Sequence, residues 1–398
     1  MRLTIMIALY AAAILAAVGA FFGPLRRAVD PERKHPLRVA VPILIMLIMG
    51  AFPVIGAVTP DGPLCWFFQK WGNIFLGIFI YFFGPLLILS LCLLIYGLIY
   101  RAKRGERWRP GRSISAAVLA VSLIATAVLN VSGWNTAHDV KVTCYQLPKE
   151  MLGLDEPMRI VLISDLHIGV NSGTELYREM VEKVNEQDAD LVVVTGDLIT
   201  SSYGAMRHPE EYAAIFSEMR SRYGAYAVYG NHDVDEPLLG GFTYIEKEKA
   251  LRNPAMESWV RSCGWQLLED EVTEVPGIDG MLLAGRRDES KPGDGIDERL
   301  PLKELLRDTD PDKKVLLLQH EPTDLRELGE DRVALSLSGH THDGQIFPGN
   351  IYCRIFTRQS YGIKDWGDAK AIVTSGVGYY GPPLRVGTIS EIVVIDLN

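Results

Sequence analysis

Two histidines two residues apart, His340 and His342 in Gly339-His340-Thr341-His342, close the apolar run Val333-Ala334-Leu335-Ser336-Leu337-Ser338. In an extended backbone residues i and i+2 share a face, so both imidazoles can be aimed into one site. An H-x-H pair alone is equally compatible with solvated loop histidines. What gives it weight is that four other apolar runs end in the same kind of residue: Asp165 and His167 after 159–163, Asp197 after 191–194, Asn231 and His232 after 225–229, and His320 after 315–319. Five of the eight histidines fall in this set; His35, His138 and His208 lie elsewhere. Carboxylates, imidazoles and one amide without a thiolate suit Mn, Fe, Co or Zn. They are too many for one ion. Two divalent cations about 3.5 to 4 Å apart, sharing one carboxylate, would use them fully.

The elements that must position these residues are short, continuously apolar strands alternating with helices. A helix after the first run carries Leu176, Met180, Val181 and Val184 on one face; another, opened by Pro209, carries Tyr212, Ile215, Phe216 and Met219. This alternation predicts an α/β arrangement with sheets covered by helices and ligands gathered at the carboxyl ends of strands. Residues 371–374 and 391–396 read as closing strands, and 237–244 as an irregular loop beside the site. The cysteines, Cys65, Cys92, Cys144, Cys263 and Cys353, match no zinc spacing, and Cys263 shares an apolar helical face with Met256, Trp259 and Val260.

The order Asp-x-His, Gly-Asp, Gly-Asn-His-Asp, a lone His and Gly-His-x-His resembles the calcineurin-like metallophosphoesterases over residues 158–398, and the run on to Gly344-Gln345-Ile346 is similar to their membrane-bound bacterial members. The resemblance implies a four-layer α/β/β/α sandwich of two mixed sheets and a binuclear centre. It implies that Asp165, His167 and His342 hold the first metal, that Asp197 bridges, that Asn231, His320 and His340 hold the second, and that His232 is the catalytic imidazole. Two departures stand out. Relatives commonly carry an acid three residues after the bridging aspartate to orient the histidine, where this chain has Thr200, and often a glycine where it has Asp343. Asp343 is the candidate substitute carboxylate, weighed against a solvated loop aspartate. Arg385 is a candidate phosphate contact by charge type, weighed against an ordinary surface arginine.

The first third of the chain differs in kind. Residues 3–22, 39–58, 73–100 and 114–133 are apolar stretches of bilayer length without a charged side chain, which predicts a four-span anchor over 1–133 and a linker over 134–157 with strand-like pieces such as 140–144. The absence of intramembrane acids, bases or histidines argues against an ion path. The loops after the first and third stretches carry five and six Lys or Arg, which predicts that they are cytoplasmic and that everything after Gly133 is outside. Residues 1–134 hold 13 basic and 4 acidic side chains, leaving 27 and 45 in the remainder, near −18. Such a surface disfavours a nucleic-acid substrate. The expected partners are the bilayer and a phosphoester: a monoester, diester or pyrophosphate, with a lipid or lipid-linked headgroup suggested by the anchorage. The competing readings are a small soluble phosphoester and a catalytically weak receptor or scaffold on the same fold.

Overall fold

The computed structural model describes residues 2–240, 242–243, 249–322, 325–329 and 332–398. Two compact units meet in the sequence at Gly133 and Trp134. The first is built on α1 (Arg2–Val29), α2 (Leu37–Val58), α3 (Pro63–Arg104) and α4 (Arg112–Ala137), each long and apolar enough to cross a membrane. At 42 residues, α3 is about 63 Å long, roughly twice a bilayer core, so its basic end clears the hydrocarbon. Pro85 sits inside α3 without ending it. Phe21, Phe83, Leu86 and Val118 form the inner contact among these helices, while Leu91, Leu94, Ile124 and Val128 face outward.

The second unit holds β1 (Val140–Leu147), β2 (Met158–Ile163), α5 (Thr174–Asn185), β3 (Leu191–Thr195), α6 (Pro209–Phe216) and β4 (Ala225–Val228), up to the pair β5 (Leu238–Leu239) and β6 (Phe242–Thr243), whose residues from Leu239 on group with the first unit. It continues through α7 (Ala255–Ser262), β7 (Trp265–Leu267), β8 (Glu271–Thr273), β9 (Met281–Gly285), α8 (Leu302–Leu305), β10 (Lys314–Leu318) and β11 (Val333–Ser338). It closes with α9 (Gly349–Phe356), β12 (Gly362–Trp366), β13 (Ala369–Val373) and β14 (Ser390–Leu397). One six-stranded sheet runs β1-β14-β2-β3-β4-β7 and the other β12-β13-β11-β10-β9-β8. In both, the strands that lead into the site are parallel: β2, β3 and β4 in the first, β10 and β11 in the second.

Side-chain alternation along the strands builds the layers. Ile160 and Leu162 face the second sheet, whose Leu316, Leu318, Leu335 and Leu337 meet them. Val161 and Ile163 face the other way, against Leu176, Met180 and Val184 of α5 and Phe216 of α6. On the far side Val315 and Leu317 meet Leu302 of α8 and Leu306. The result is the four-layer α/β/β/α sandwich with two mixed sheets.

The segment 134–157, expected as a linker with strand-like pieces such as 140–144, contributes one full strand, β1, in unbroken parallel register with β14 from Val140 opposite Ser390 to Leu147 opposite Leu397. Without it β14, buried except at Asp396, would present an unpaired edge, so the backbone demands a partner even where side chains alternate with solvent. The stretch 237–244, expected to be irregular, contains β5 and β6; Gly241 and Tyr244 lie outside the described residues. All five cysteines are free thiols.

Candidate metal centre

The strand ends of the two sheets converge, and backbone hydrogen bonds lock them. Asp165 N donates to the Gly196 carbonyl at 3.0 Å, His167 N to the Asp197 carbonyl at 2.9 Å and Gly339 N to the His320 carbonyl at 3.1 Å. The chain must turn abruptly at each ligand. Asp165, His167, Asp197, His340 and His342 all have left-handed backbones, with φ of 55°, 47°, 53°, 73° and 50°. That region is sparsely used outside glycine, and its concentration here is local strain held by the surrounding fold. The approach leaves no space beside it. A Cβ on Gly230 would lie 2.3 Å from Asp197 Oδ1, and one on Gly339 2.2 Å from Asp165 Oδ2.

Two groups of ligand-type atoms result: Asp165, His167 and His342, and Asp197, His320 and His340. In the first, the Nε2 atoms of His167 and His342 are 2.9 Å apart and Asp165 Oδ1 is 3.4 Å from His342 Nε2. In the second, His320 Nε2 is 3.0 Å from Asp197 Oδ2, and His340 Nδ1 is 2.9 Å from Asn231 Oδ1. Asp197 belongs to the second and reaches the first through His167. Its Oδ1 accepts from His232 N at 2.8 Å, while Oδ2 lies between His320 and His167, 3.5 Å from the latter. One carboxylate oxygen shared between two imidazole groups is the geometry a bridging ligand needs.

The donor set fits a pair of cations. His320 Nδ1 donates to the Thr195 carbonyl at 2.7 Å, which leaves Nε2 as a lone pair. That atom is buried without a hydrogen-bond partner and faces a carboxylate oxygen. Two acceptors held face to face at 3.0 Å in a buried site call for positive charge between them, either a proton or a cation. The field has the same character. Burial pushes the His167 imidazole down to about 3, with His232, His320 and Arg385 adding to the effect against Asp197. Burial, together with His167 and Arg385, also holds His342 well below its ordinary value despite Asp165. At His320 burial works against the charged form, but the Asp197 carboxylate outweighs it and drives the imidazole up. Asp197 is correspondingly driven down by His320, His232 and His167 against its own burial. Neutral imidazoles at His167 and His342 and an ionised Asp197 are the forms that bind metal, and the proton drawn to His320 is the charge a cation would displace.

His232 lies at the edge of this cluster, its ring stacked on Tyr380 at 4.4 Å and 24°. The carboxylate beside it is not the candidate Asp343. Glu236, buried and four residues on, takes His232 Nδ1 at 2.7 Å, and its other oxygen is ion-paired with Lys291 from the loop after β9. Asp343 turns away: it pairs with Arg354 of α9 at 2.8 Å, because its own left-handed backbone, φ 46°, carries the side chain toward that helix. Thr200 Oγ1 donates to the His167 carbonyl at 2.9 Å and does not face His232. Arg385 is neither on the surface nor open to a ligand. It is 1% exposed, donates to the carbonyls of Ser375, Gly376, Gly378 and Ile389, and places Nη2 3.3 Å from His342 Nδ1. Asp233, next to His232, is a buried clamp that accepts from the backbone N–H groups of Leu198, Ile199 and Gly230 at 2.8, 3.1 and 2.7 Å. Its carboxyl is raised to about 7 by burial and by Asp197, opposed by those donors.

Of these, Glu236, Lys291, Tyr380 and Asp233 were not singled out from sequence. An i, i+4 spacing from His232 was the available signal for Glu236; nothing local marks Lys291.

The sequence profile of the calcineurin-like phosphoesterases matches residues 158–344, which span every ligand. A transmembrane protein with metallophosphoesterase domain from Danio rerio is 32% identical over 332 residues, covering 79% of this chain and 72% of that protein. An uncharacterized metallophosphoesterase of Campylobacter jejuni is 29% identical over 289 residues, covering 72% and 69%. One of Aquifex aeolicus is 30% identical over 262 residues, covering 65% and 92%.

Proposed function

The chain belongs to the calcineurin-like metallophosphoesterases, and from that premise we infer that it is a membrane-anchored hydrolase of a phosphoester carried by a lipid or a lipid-linked headgroup, with the catalytic unit on the extracytoplasmic side. The observation that carries the hydrolytic part is the convergence of two ligand groups on Asp197 beside a positioned imidazole. Four spans support the lipid class, being more anchorage than a tether needs. The alternation of basic and sparsely charged loops supports the orientation.

Asp165, His167 and His342 would hold one cation and Asn231, His320 and His340 the other, with Asp197 as the shared carboxylate. When bound, the two ions supply Lewis acidity at the phosphoryl oxygens and an activated water. The remaining work falls to side chains. His232 Nδ1–H is donated to Glu236, which orients the ring with Nε2 toward the cleft; when Nε2 also carries a proton it steadies the transferring phosphoryl group or delivers that proton to the leaving oxygen. Lys291 holds Glu236, and Tyr380 holds the plane of the ring. Arg385 acts through His342 as a positioning residue, not on substrate.

The test is turnover by the full chain in lipid nanodiscs against phospholipids, lipid pyrophosphates, nucleotides and an aryl phosphodiester, with Mn added. Better turnover of soluble esters than of any lipid would remove the lipid class. Asp197→Asn is expected to empty both metal groups, whereas His232→Ala keeps both ions and loses about 10²- to 10⁴-fold in kcat. Undiminished activity in both variants would sink the hydrolase. A reporter active only outside the cytoplasm, fused after Gly133, is expected to be active; a silent one reverses the orientation.

A further inference from the structure

At one end of the helical unit a cavity of about 370 Å³ opens among α1, α3, the loop 105–111 and the first turns of α4. Four guanidinium groups line it: Arg27 from α1, Arg101 from α3, and Arg107 and Arg109 from the loop. No carboxylate is among the lining residues. Arg27 is held in place, its Nε donating to Ser115 Oγ at 3.1 Å, and that serine is 1% exposed. Trp108 folds the loop back onto α3, edge-on to Tyr96 at 4.8 Å, with its ring 3.5 Å from where a Cβ on Gly97 would stand. The opposite wall is apolar, with Leu94, Leu98 and Val118.

Like charges gathered around one cavity repel unless an anion joins them. Guanidinium groups pair bidentately with phosphate, which gives four of them in one cavity a defined chemical complement. The cavity volume falls within the range of small-ligand sites. The ligand must also satisfy the leucine wall, and a simple inorganic anion leaves that wall unused. Position along the helix agrees: the lining of α3 runs from Ser90 to Arg101, where its apolar stretch gives way to Arg101, Lys103 and Arg104, the level of lipid headgroups.

We propose that this cavity binds an anionic phospholipid, its phosphate between the four arginines and the start of its acyl chains on the leucine wall. The inference requires the helices to lie in a bilayer and is independent of which phosphoester the catalytic unit hydrolyses. Its readout is retained lipid, so a chain inactive on every lipid tested can still satisfy it.

The full chain is placed in nanodiscs of phosphatidylcholine and phosphatidylglycerol, extracted in mild detergent, and its bound lipid is weighed by native mass spectrometry. The expected result is retention of phosphatidylglycerol over phosphatidylcholine by about tenfold or more, which corresponds to about 1.4 kcal/mol. Arg27→Gln, Arg101→Gln and Arg109→Gln together are expected to abolish the preference. Arg33→Gln, Arg38→Gln and Arg104→Gln, an equal charge loss outside the cavity, keep it. If the cavity triple fails to fold, Arg109→Glu alone, on an exposed side chain, is expected to lower the preference severalfold. Equal retention of the two lipids, equal loss in the cavity and control variants, or displacement of the lipid by millimolar inorganic phosphate overturns the proposal; the last outcome would assign the arginines to a soluble phosphate.

Discussion

Two buried carboxylates, Glu236 and Asp343, follow site histidines by four residues and by one. The nearer in sequence points away from the chemistry, clasping Arg354 of α9. The farther one reaches the imidazole, because four residues of tight loop bring Glu236 back beneath His232, and Lys291 secures it from a different part of the chain. Sequence adjacency to a ligand therefore says little about which acid serves it. Backbone direction decides, and Asp343, at φ 46°, is directed outward from the cluster.

The largest effect that can break this contrast is at Glu236. Glu236→Gln is expected to lower kcat by about 10- to 100-fold, the worth of a hydrogen bond to a charged group, with both metals retained and KM little changed. A metal analysis showing lost ions would instead make Glu236 a support of the ligand cluster. Lys291→Met, which leaves Glu236 in place but unanchored, is expected to cost about threefold to tenfold in kcat. If it costs more than Glu236→Gln, the lysine touches substrate directly.

Asp343→Asn sharpens the contrast from the other side. Its partner Arg354 is 61% exposed, so the pair is worth about 0 to 1 kcal/mol in thermal stability, and turnover should stay within about twofold. An acidic-limb shift in the rate profile of this variant would restore Asp343 as a partner of His232. Thr200→Val should have the smallest consequence for catalysis: it removes one bond to the His167 carbonyl, about 1 kcal/mol of stability, and leaves the His232 profile unchanged.

The legible part of this molecule was whatever the backbone period and residue type jointly specify. The apolar runs that became β2, β3, β4, β10 and β11 end in residues whose chemistry is unusual in such places, so the ligands could be read together with their strands. Four spans were equally plain, because bilayer length and absence of charge are strong constraints. β1 was legible only as a strand-like piece at 140–144, since its place in the sheet comes from the edge of β14 and not from its own alternating side chains. Sequence leaves Arg385 as a candidate phosphate contact or a surface group, because nothing in its neighbours announces that carbonyls from the turns at 375–378 and 389 will surround it. Lys291 was hidden for another reason. Its loop is fixed by Arg252 and Arg287 on Glu269 and Asp294, charges drawn from distant segments that no local pattern connects.

The left-handed turns at Asp165, His167, Asp197, His340 and His342 restrict what may replace these residues. Asp, Asn and His tolerate that backbone several times better than most side chains, and a β-branched substitute tolerates it worst. Asp to Asn, and His to Asn, are each single-nucleotide changes. Drift at these five positions therefore passes first through copies that keep the fold, and the bed in which a substrate lies, while losing the ability to cut. A lineage of this protein is thus one codon change from a silent binder at each of these five positions.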